Sequence, residues 1–214
     1  MNKKGLFITF EGVEGAGKTT LIKKLVAFFV EKQRDVFLTR EPGGSELGKK
    51  LRSIILNADE KICPSAELFL FLADRSQHVE ECIKPALKAG KIVLCDRFID
   101  STIAYQGYGR GMDIAQLTNF NTVATGGLEP HLTFLLDLLP ERGLKRAKER
   151  NIEQNLTIDE GRFEAEALQF HQKIREGFLA LAEQKKRFFI INAEQEAEQV
   201  FCIAKKYLEE NFLL

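Results

Sequence analysis

The chain has 214 residues, 44% of them hydrophobic and 29% charged, a balance that excludes a disordered or collagen-like polymer and suits one globular domain with a small lid. Its 31 Lys and Arg are matched by 31 Asp and Glu, which argues against a general polyanion surface for nucleic acid or membrane. A zero net charge leaves room for a local cluster of arginines around a small anion, and 17 Phe without Trp predict a core of phenyl rings.

In chain order, the first apolar run is Leu6–Phe10, closed by Glu11. It is too short for a signal-peptide core, and no later stretch approaches the roughly 18 apolar residues of a membrane span. A helical stripe follows at Leu21, Leu25 and Phe28 within Thr20–Lys32, and a second apolar run at Val36–Thr39. Pro42-Gly43-Gly44 reads as a loop. Residues Ser65–Ala89 carry Leu68, Leu72, Val79, Ile83 and Leu87 along one helical stripe. The runs Ile92–Cys95, Leu132–Leu136 and Phe188–Ile191 come next, with the glycines of Gly107–Gly111 read as a loop between the first two. The final segment places Val200, Ile203, Ala204, Tyr207 and Leu208 at helical spacing.

The five apolar runs are near-continuous rather than alternating, as strands buried on both faces should be. Strands alternating with helices imply an α/β fold with a parallel sheet covered on both faces. Residues 1–214 therefore read as one domain, and the polar stretch at about 140–162 as a mobile flap. Cys63, Cys82, Cys95 and Cys202 form no C-x-x-C or zinc pattern, which points to a reducing, cytoplasmic setting. Asn155-Leu156-Thr157 matches a glycosylation acceptor, a match without meaning in that setting.

The first strand runs into Gly12-Val13-Glu14-Gly15-Ala16-Gly17-Lys18-Thr19, the full G-x-x-x-x-G-K-[ST] pattern between a strand and a helix. Glycines let backbone N–H groups turn inward around phosphate oxygens, and the helix that follows offers its positive end. Lys18 is expected to bridge the β- and γ-phosphates, and the Thr19 hydroxyl to ligate Mg²⁺. Gly12, Gly15, Ala16, Gly17 and Thr20 complete the expected ATP cradle. Asp96, at the end of an apolar strand and followed by Arg97, is the preferred metal carboxylate, with Asp137 as its competitor. No N-K-x-D segment for reading guanine is present.

Phosphate loops serve several reactions, so the acceptor must be found elsewhere. Arg40, in T-R-E-P-G-G after the second strand, and Arg97 are placed to converge on one acceptor phosphate. Glu14 would be repelled by a triphosphate and should turn toward a neutral donor such as a sugar hydroxyl. Phe71 and Arg75 share a helix face, where a planar base could stack on the ring and accept from the guanidinium.

These stretches resemble the thymidylate kinase family: F-E-G-V-E-G-A-G-K-T-T, T-R-E-P-G-G, L-F-L-F-L-A-D-R-S-Q-H-V, D-R-F-I-D-S-T-I-A-Y-Q-G and Y-G-R-G occur in the family's order. The resemblance implies a three-layer P-loop fold with a five-stranded parallel sheet, a homodimer, and transfer of the γ-phosphoryl of ATP to dTMP, giving dTDP for dTTP synthesis. It assigns Glu14 to the sugar 3′-hydroxyl, Arg40 and Arg97 to the dTMP phosphate, and Glu41 and Asp96 to Mg²⁺ or its waters. It stacks thymine on Phe71, with Arg75 and Gln106 on the base edge and Ser101 and Thr102 lining the pocket. Tyr105 looks like the residue that leaves no room for a ribose 2′-hydroxyl, and Arg110 a candidate for closing the site. Ala16 and the basic stretch Lys145, Arg146, Lys148 and Arg150 resemble the bacterial type, whose lid supplies the arginine that other types carry in the phosphate loop. Arg150 is the first candidate to reach the transferred phosphoryl and Arg146 the second, both in a catalytic role with Lys18 and Arg97. Gly161-Arg162-Phe163-Glu164 departs from the family's usual D-R-[IFM]-E, and Asn151–Glu160 looks longer than usual. A kinase for another nucleoside monophosphate or small metabolite, and a nucleotide-binding protein without turnover, stand as alternatives.

Overall fold

The computed structural model describes residues 5–57, 61–153 and 161–212, with side chains described through 149 in the middle stretch. Five parallel strands, β1 (Leu6–Glu11), β2 (Val36–Arg40), β3 (Ile92–Asp96), β4 (Leu132–Asp137) and β5 (Phe188–Asn192), form one sheet in the order β2-β3-β1-β4-β5. Helices cover both faces, which gives the expected α/β architecture. Among the described residues no helix is long and apolar enough to cross a membrane.

Each strand runs one residue beyond its apolar run, and the added residue is polar every time: Glu11, Arg40, Asp96, Asp137 and Asn192. The register sets Arg40 beside Asp96, Asp96 beside Phe10, and Asp137 beside Asn192. Because the strands are parallel, all five polar ends face one rim. The interior of the sheet is apolar, with Phe7, Ile8, Phe10 and Ile92 to Cys95 fully buried. Thr9 and Thr133 share a hydroxyl hydrogen bond of 2.8 Å across β1 and β4, which satisfies two buried polar groups.

The first helix, α1 (Lys18–Glu31), begins at Gly17, whose φ of 91° is open to glycine. It buries Leu21, Ile22, Leu25, Phe28 and Phe29 against the sheet together with α9 (Ala197–Asn211). The helix expected over Ser65–Ala89 is present but interrupted. It runs as α3 (Pro64–His78), a π-turn at Val79–Ile83, and α4 (Lys84–Lys88). Pro85 has no N–H to return to residue 81, and the ladder widens just before it.

The glycines at Gly107–Gly111 do not make the expected loop. The four-residue helix α5 (Ile99–Thr102) continues as a π-helix over Ile103–Gly109. Here glycine serves close approach instead of turning: a Cβ on Gly109 would lie 2.6 Å from the Phe170 ring, and one on Gly177 would lie 2.7 Å from Tyr108. That contact seats α8 (Leu168–Gln184) against the π-helix. The sequence patterns did not single out α2 (Glu46–Leu56), α6 (Ile114–Thr125) or α8. The stretch expected as a flap begins as a helix, α7 (Pro140–Glu153). Residues 154–160, including Asn155-Leu156-Thr157, lie outside the described residues.

Phe134 is fully buried at the middle of β4, with ring centroids 5.7 Å from Phe10, 6.0 Å from Phe189 and 6.2 Å from Tyr207. Phe134→Ala is expected to destabilise the fold by about 3–5 kcal/mol. Urea unfolding checks this, and a far smaller loss would contradict the packing.

Candidate active site

Two connected cavities open at the carboxyl rim of the sheet. The larger, of about 770 Å³, is lined by Gly15, Ala16, Gly17, Lys18, Thr19 and Thr20 of the phosphate loop, and by Arg40, Asp96, Arg146 and the stretch after β5. The smaller, of about 140 Å³, is lined by Phe71, Arg75, Ser101, Thr102, Tyr105 and Gln106. Glu14, Glu41, Arg52, Arg97 and Glu164 line both and mark the boundary.

The phosphate loop is tied to itself through Lys18. Its ammonium donates to the carbonyls of Gly12 and Val13, each at 3.0 Å, which leaves one of its three N–H groups. Burial pushes the Lys18 pKa down to about 8, with the positive charge of Arg97 acting in the same direction. On its outer side the loop meets α7 backbone to backbone. A Cβ on Gly15 would lie 2.0 Å from the Gly143 carbonyl oxygen, and one on Gly143 would lie 2.2 Å from that of Glu14.

Arg97 bridges the two cavities. It follows β3 with φ of 69°, a left-handed conformation that a non-glycine residue adopts at a cost and that often marks a site. The turn brings its guanidinium back over the loop, where NH1 donates to the Gly12 carbonyl at 3.0 Å and NH2 to Glu14 Oε1 at 3.3 Å.

Glu14 lines both cavities, and its carboxylate meets Arg97, Tyr105 and His171. Oε1 also accepts from the Tyr105 hydroxyl, and Oε2 lies 3.1 Å from His171 Nδ1. Burial acts to raise its pKa. The His171 hydrogen bond, the Arg97 and Lys18 charges and the Tyr105 hydroxyl outweigh burial and hold the carboxyl at about 2. His171 is fully buried on α8, and no spacing in the sequence links it to Glu14.

Arg75 is 2% exposed and nearly consumed. Nε donates to Glu41 Oε2 at 2.8 Å, NH1 to Thr102 at 2.7 Å and Asn121 at 2.6 Å, and NH2 to the Phe98 carbonyl at 3.0 Å. A guanidinium has five N–H groups, so one remains. Glu41 takes a different place from the metal contact expected of it. Its Oε2 accepts from Arg75 and its Oε1 lies 2.9 Å from His78 Nδ1, so both oxygens are engaged inside the protein. His78 Nε2 is in turn 2.7 Å from the Thr39 hydroxyl, which anchors the T-R-E-P-G-G loop from below.

Arg40 lines only the larger cavity, while Arg52 lines both and donates to the Pro42 carbonyl at 3.0 Å. Arg52 was missed because its helix, α2, carries no motif. Phe163 was also missed. Its ring stands 6.1 Å from Phe71 and 5.6 Å, edge-on, from Tyr105, and completes an aromatic wall. Ser101 donates to Glu11 at 2.6 Å. Asp137 is paired with Arg175 at 2.7 and 2.9 Å, whereas Asp96 Oδ1 is buried without a hydrogen-bond partner among the described residues. Arg146 NH1 donates to the Ala193 carbonyl at 3.0 Å. Arg150 stands in α7, with its side chain outside the described residues.

A family model described as thymidylate kinase matches residues 10–202. The chain is 54% identical over 206 residues to a thymidylate kinase of Desulfovibrio desulfuricans, covering 95% of each chain. It is 56% identical over 198 residues to that of Maridesulfovibrio salexigens, covering 92% of this chain and 91% of the relative. The crystal structure of thymidylate kinase from Ehrlichia chaffeensis superposes with a TM-score of 0.75 at 33% identity, over 96% of this chain and 99% of that one.

A triphosphate brought to Lys18 favours its charged form, so binding should take up a proton where Lys18 is otherwise neutral. Since the unliganded pKa is about 8, uptake should approach one proton near pH 9 and fall away below about pH 7, with ATP affinity declining as pH rises through 8. Calorimetry in buffers of different ionisation heat measures the uptake; the same uptake in Lys18→Arg would exclude Lys18 as its source.

Proposed function

The chain belongs to the thymidylate kinase family and transfers the γ-phosphoryl of ATP to dTMP, giving dTDP; on that premise we propose how its two cavities divide the work. The larger cavity takes ATP and the smaller takes dTMP, with the reacting phosphates meeting at the boundary that Arg97 spans. The observation that carries this reading is Arg97 itself, which is strained in its backbone, lines both cavities, and donates to Gly12 and Glu14 of the phosphate loop and to Ser101 of the smaller cavity.

The acceptor phosphate has a second pKa near 6, so at neutral pH it is mostly a dianion and needs no general base. Catalysis then rests on alignment and charge neutralisation. Lys18 and the backbone N–H groups of Gly12, Gly15, Ala16, Gly17, Thr19 and Thr20 hold the donor phosphates. Arg97, with Arg40 and Arg52 beside it, holds the acceptor phosphate. Thr19, through its hydroxyl, and Asp96, whose Oδ1 is buried and unpartnered among the described residues, would hold Mg²⁺. When bound, the ion would neutralise charge on the β- and γ-oxygens.

In the acceptor pocket, thymine stacks on Phe71 and takes the last N–H of Arg75 at its O4. Gln106 meets the base edge, and Ser101 and Thr102 hold their neighbours in place. Glu14 accepts from the sugar 3′-hydroxyl, and Tyr105 closes the space a 2′-hydroxyl would need. Arg146, bonded beside Ala193 on the far wall of the ATP cavity, suits the nucleoside end of ATP better than the transferred phosphoryl. That leaves Arg150 as the lid arginine of this reading, within a single domain whose flap spans about 140–162.

The reading extends to a homodimer in a reducing cytosol, where the four free cysteines would stay reduced. Phe69 of α3 is 57% exposed and Val123 of α6 is 81% exposed, and the Phe69 and Phe120 rings lie 6.0 Å apart on that face. An apolar face of this kind is suited to burial against a second copy.

Lys18→Ala and Arg97→Ala should each lower dTMP-dependent ADP release by about 10²-fold or more while the chain remains folded by circular dichroism. Near-normal rates in either variant would overturn the assignment. Glu14→Gln should weaken dTMP binding and leave ATP binding intact, measured by calorimetry with each ligand. Val123→Asp should shift the sedimentation coefficient from dimer to monomer, and an unchanged value would reject this face.

A further inference from the structure

Glu67 does not line the dTMP pocket, yet it holds a residue that does. It lies in the first turn of α3 and is 1% exposed. Oε1 accepts from Gln106 Nε2 at 2.8 Å. Oε2 accepts from Arg162 NH2 at 2.5 Å and Arg110 NH2 at 3.2 Å, and Arg110 Nε is 3.4 Å from Oε1. Every partner of this carboxylate is a donor.

A glutamine amide has one donor end and one acceptor end. Glu67 draws the NH₂ end of Gln106 into the protein, so the Oε1 end is what Gln106 has to offer the pocket it lines. Arg75 offers the opposite, since its single remaining N–H is a donor. An acceptor beside a donor matches the N3–H and O4 of thymine. Cytosine presents the reverse pattern, an acceptor at N3 and a donor at N4, and would leave both protein groups opposed by groups of like kind. Such a mismatch in a buried site costs far more than a missing methyl group.

We propose that Glu67 is a positioning residue that sets pyrimidine specificity by fixing the orientation of the Gln106 amide, without touching the base. The proposal rests on the reading of Gln106 and Arg75 as base contacts. Arg162, two residues past the undescribed part of the flap, binds the same carboxylate and donates to the Ile55 carbonyl at 3.0 Å. The residues that orient the base site are thereby tied to the root of the flap.

The test reads kcat/KM for dTMP, dUMP and dCMP in a coupled ADP-release assay. In Glu67→Gln the side chain at 67 can donate or accept, so Gln106 is free to turn over. The dTMP-to-dCMP ratio should fall at least about tenfold. The dTMP-to-dUMP ratio should stay put, because those bases share the edge in question; general damage to the fold would move both. Glu67→Asp retains an acceptor and should keep the dTMP-to-dCMP ratio even where kcat falls. Should Glu67→Gln fail to fold, the double variant Glu67→Gln/Gln106→Glu carries the test. The carboxylate introduced at 106 accepts from both the amide at 67 and the base, so preserved selectivity supports the proposal and lost selectivity overturns it. Gln106→Ala separates the premises: an unchanged dTMP-to-dCMP ratio there overturns the base-contact reading. A reduced ratio there, with no change in Glu67→Gln, overturns the role of Glu67 alone.

Discussion

The parallel alignment of five strands is the constraint from which the site follows. Each strand carries no charged or amide side chain until its last residue, because both faces of the sheet are covered by helices; the earlier polar residues are threonines, and Thr9, Thr39 and Thr133 each find a hydrogen-bond partner. The first position that tolerates a charged or amide side chain is the rim, and the parallel direction puts every rim position at the same end. Glu11, Arg40, Asp96, Asp137 and Asn192 are therefore neighbours although they are spread over most of the chain. The phosphate loop leaves the central strand at this rim, with two strands on either side. Phosphate chemistry is placed where the fold already concentrates charge.

Concentrated charge at the edge of a dry sheet has to be compensated, and three carboxylates, two buried and one half-buried, do most of this. Glu41 holds Arg75, Glu67 holds Gln106 with Arg110 and Arg162, and Glu14 faces Arg97, Tyr105 and His171. Removing one partner of such a pair strands the other, so these groups form a scaffold whose geometry is costly to change. Rigidity of this kind is what a phosphoryl-transfer enzyme needs, since its catalysis is mainly the holding of charges in place. The tight contacts of Gly15 with Gly143 and of Gly109 with Phe170 serve the same end, because they set α7 and α8 at fixed distances from the loop and the pocket.

Much of this was legible in the residues alone. The strand runs, the phosphate loop and the shared helix face of Phe71 and Arg75 depend on local pattern: continuous apolarity, glycine spacing, or residues four apart on a helix. Ser101, Thr102, Tyr105 and Gln106 carry no such pattern and are marked only by the family resemblance. Each strand extends one residue past its apolar run, because the residue that reaches the rim is polar. The loop expected at Gly107–Gly111 failed for a related reason. Glycine signals both turning and close approach, and only the Phe170 ring beside Gly109 tells them apart.

The sequence by itself determined the strand-loop-helix cradle around Lys18 and hence the class of chemistry, since backbone N–H groups in a glycine loop act on phosphate wherever the loop is placed. Tertiary structure alone decided which polar groups meet. It turned Glu41 inward to Arg75 and His78, brought His171 across to Glu14, set Arg52 at the boundary of the cavities, and placed Glu67 behind Gln106. These pairings are separated by 34 to 157 residues, a distance over which no sequence periodicity carries information. They form because each buried donor or acceptor must find a partner, and packing determines which one is in reach.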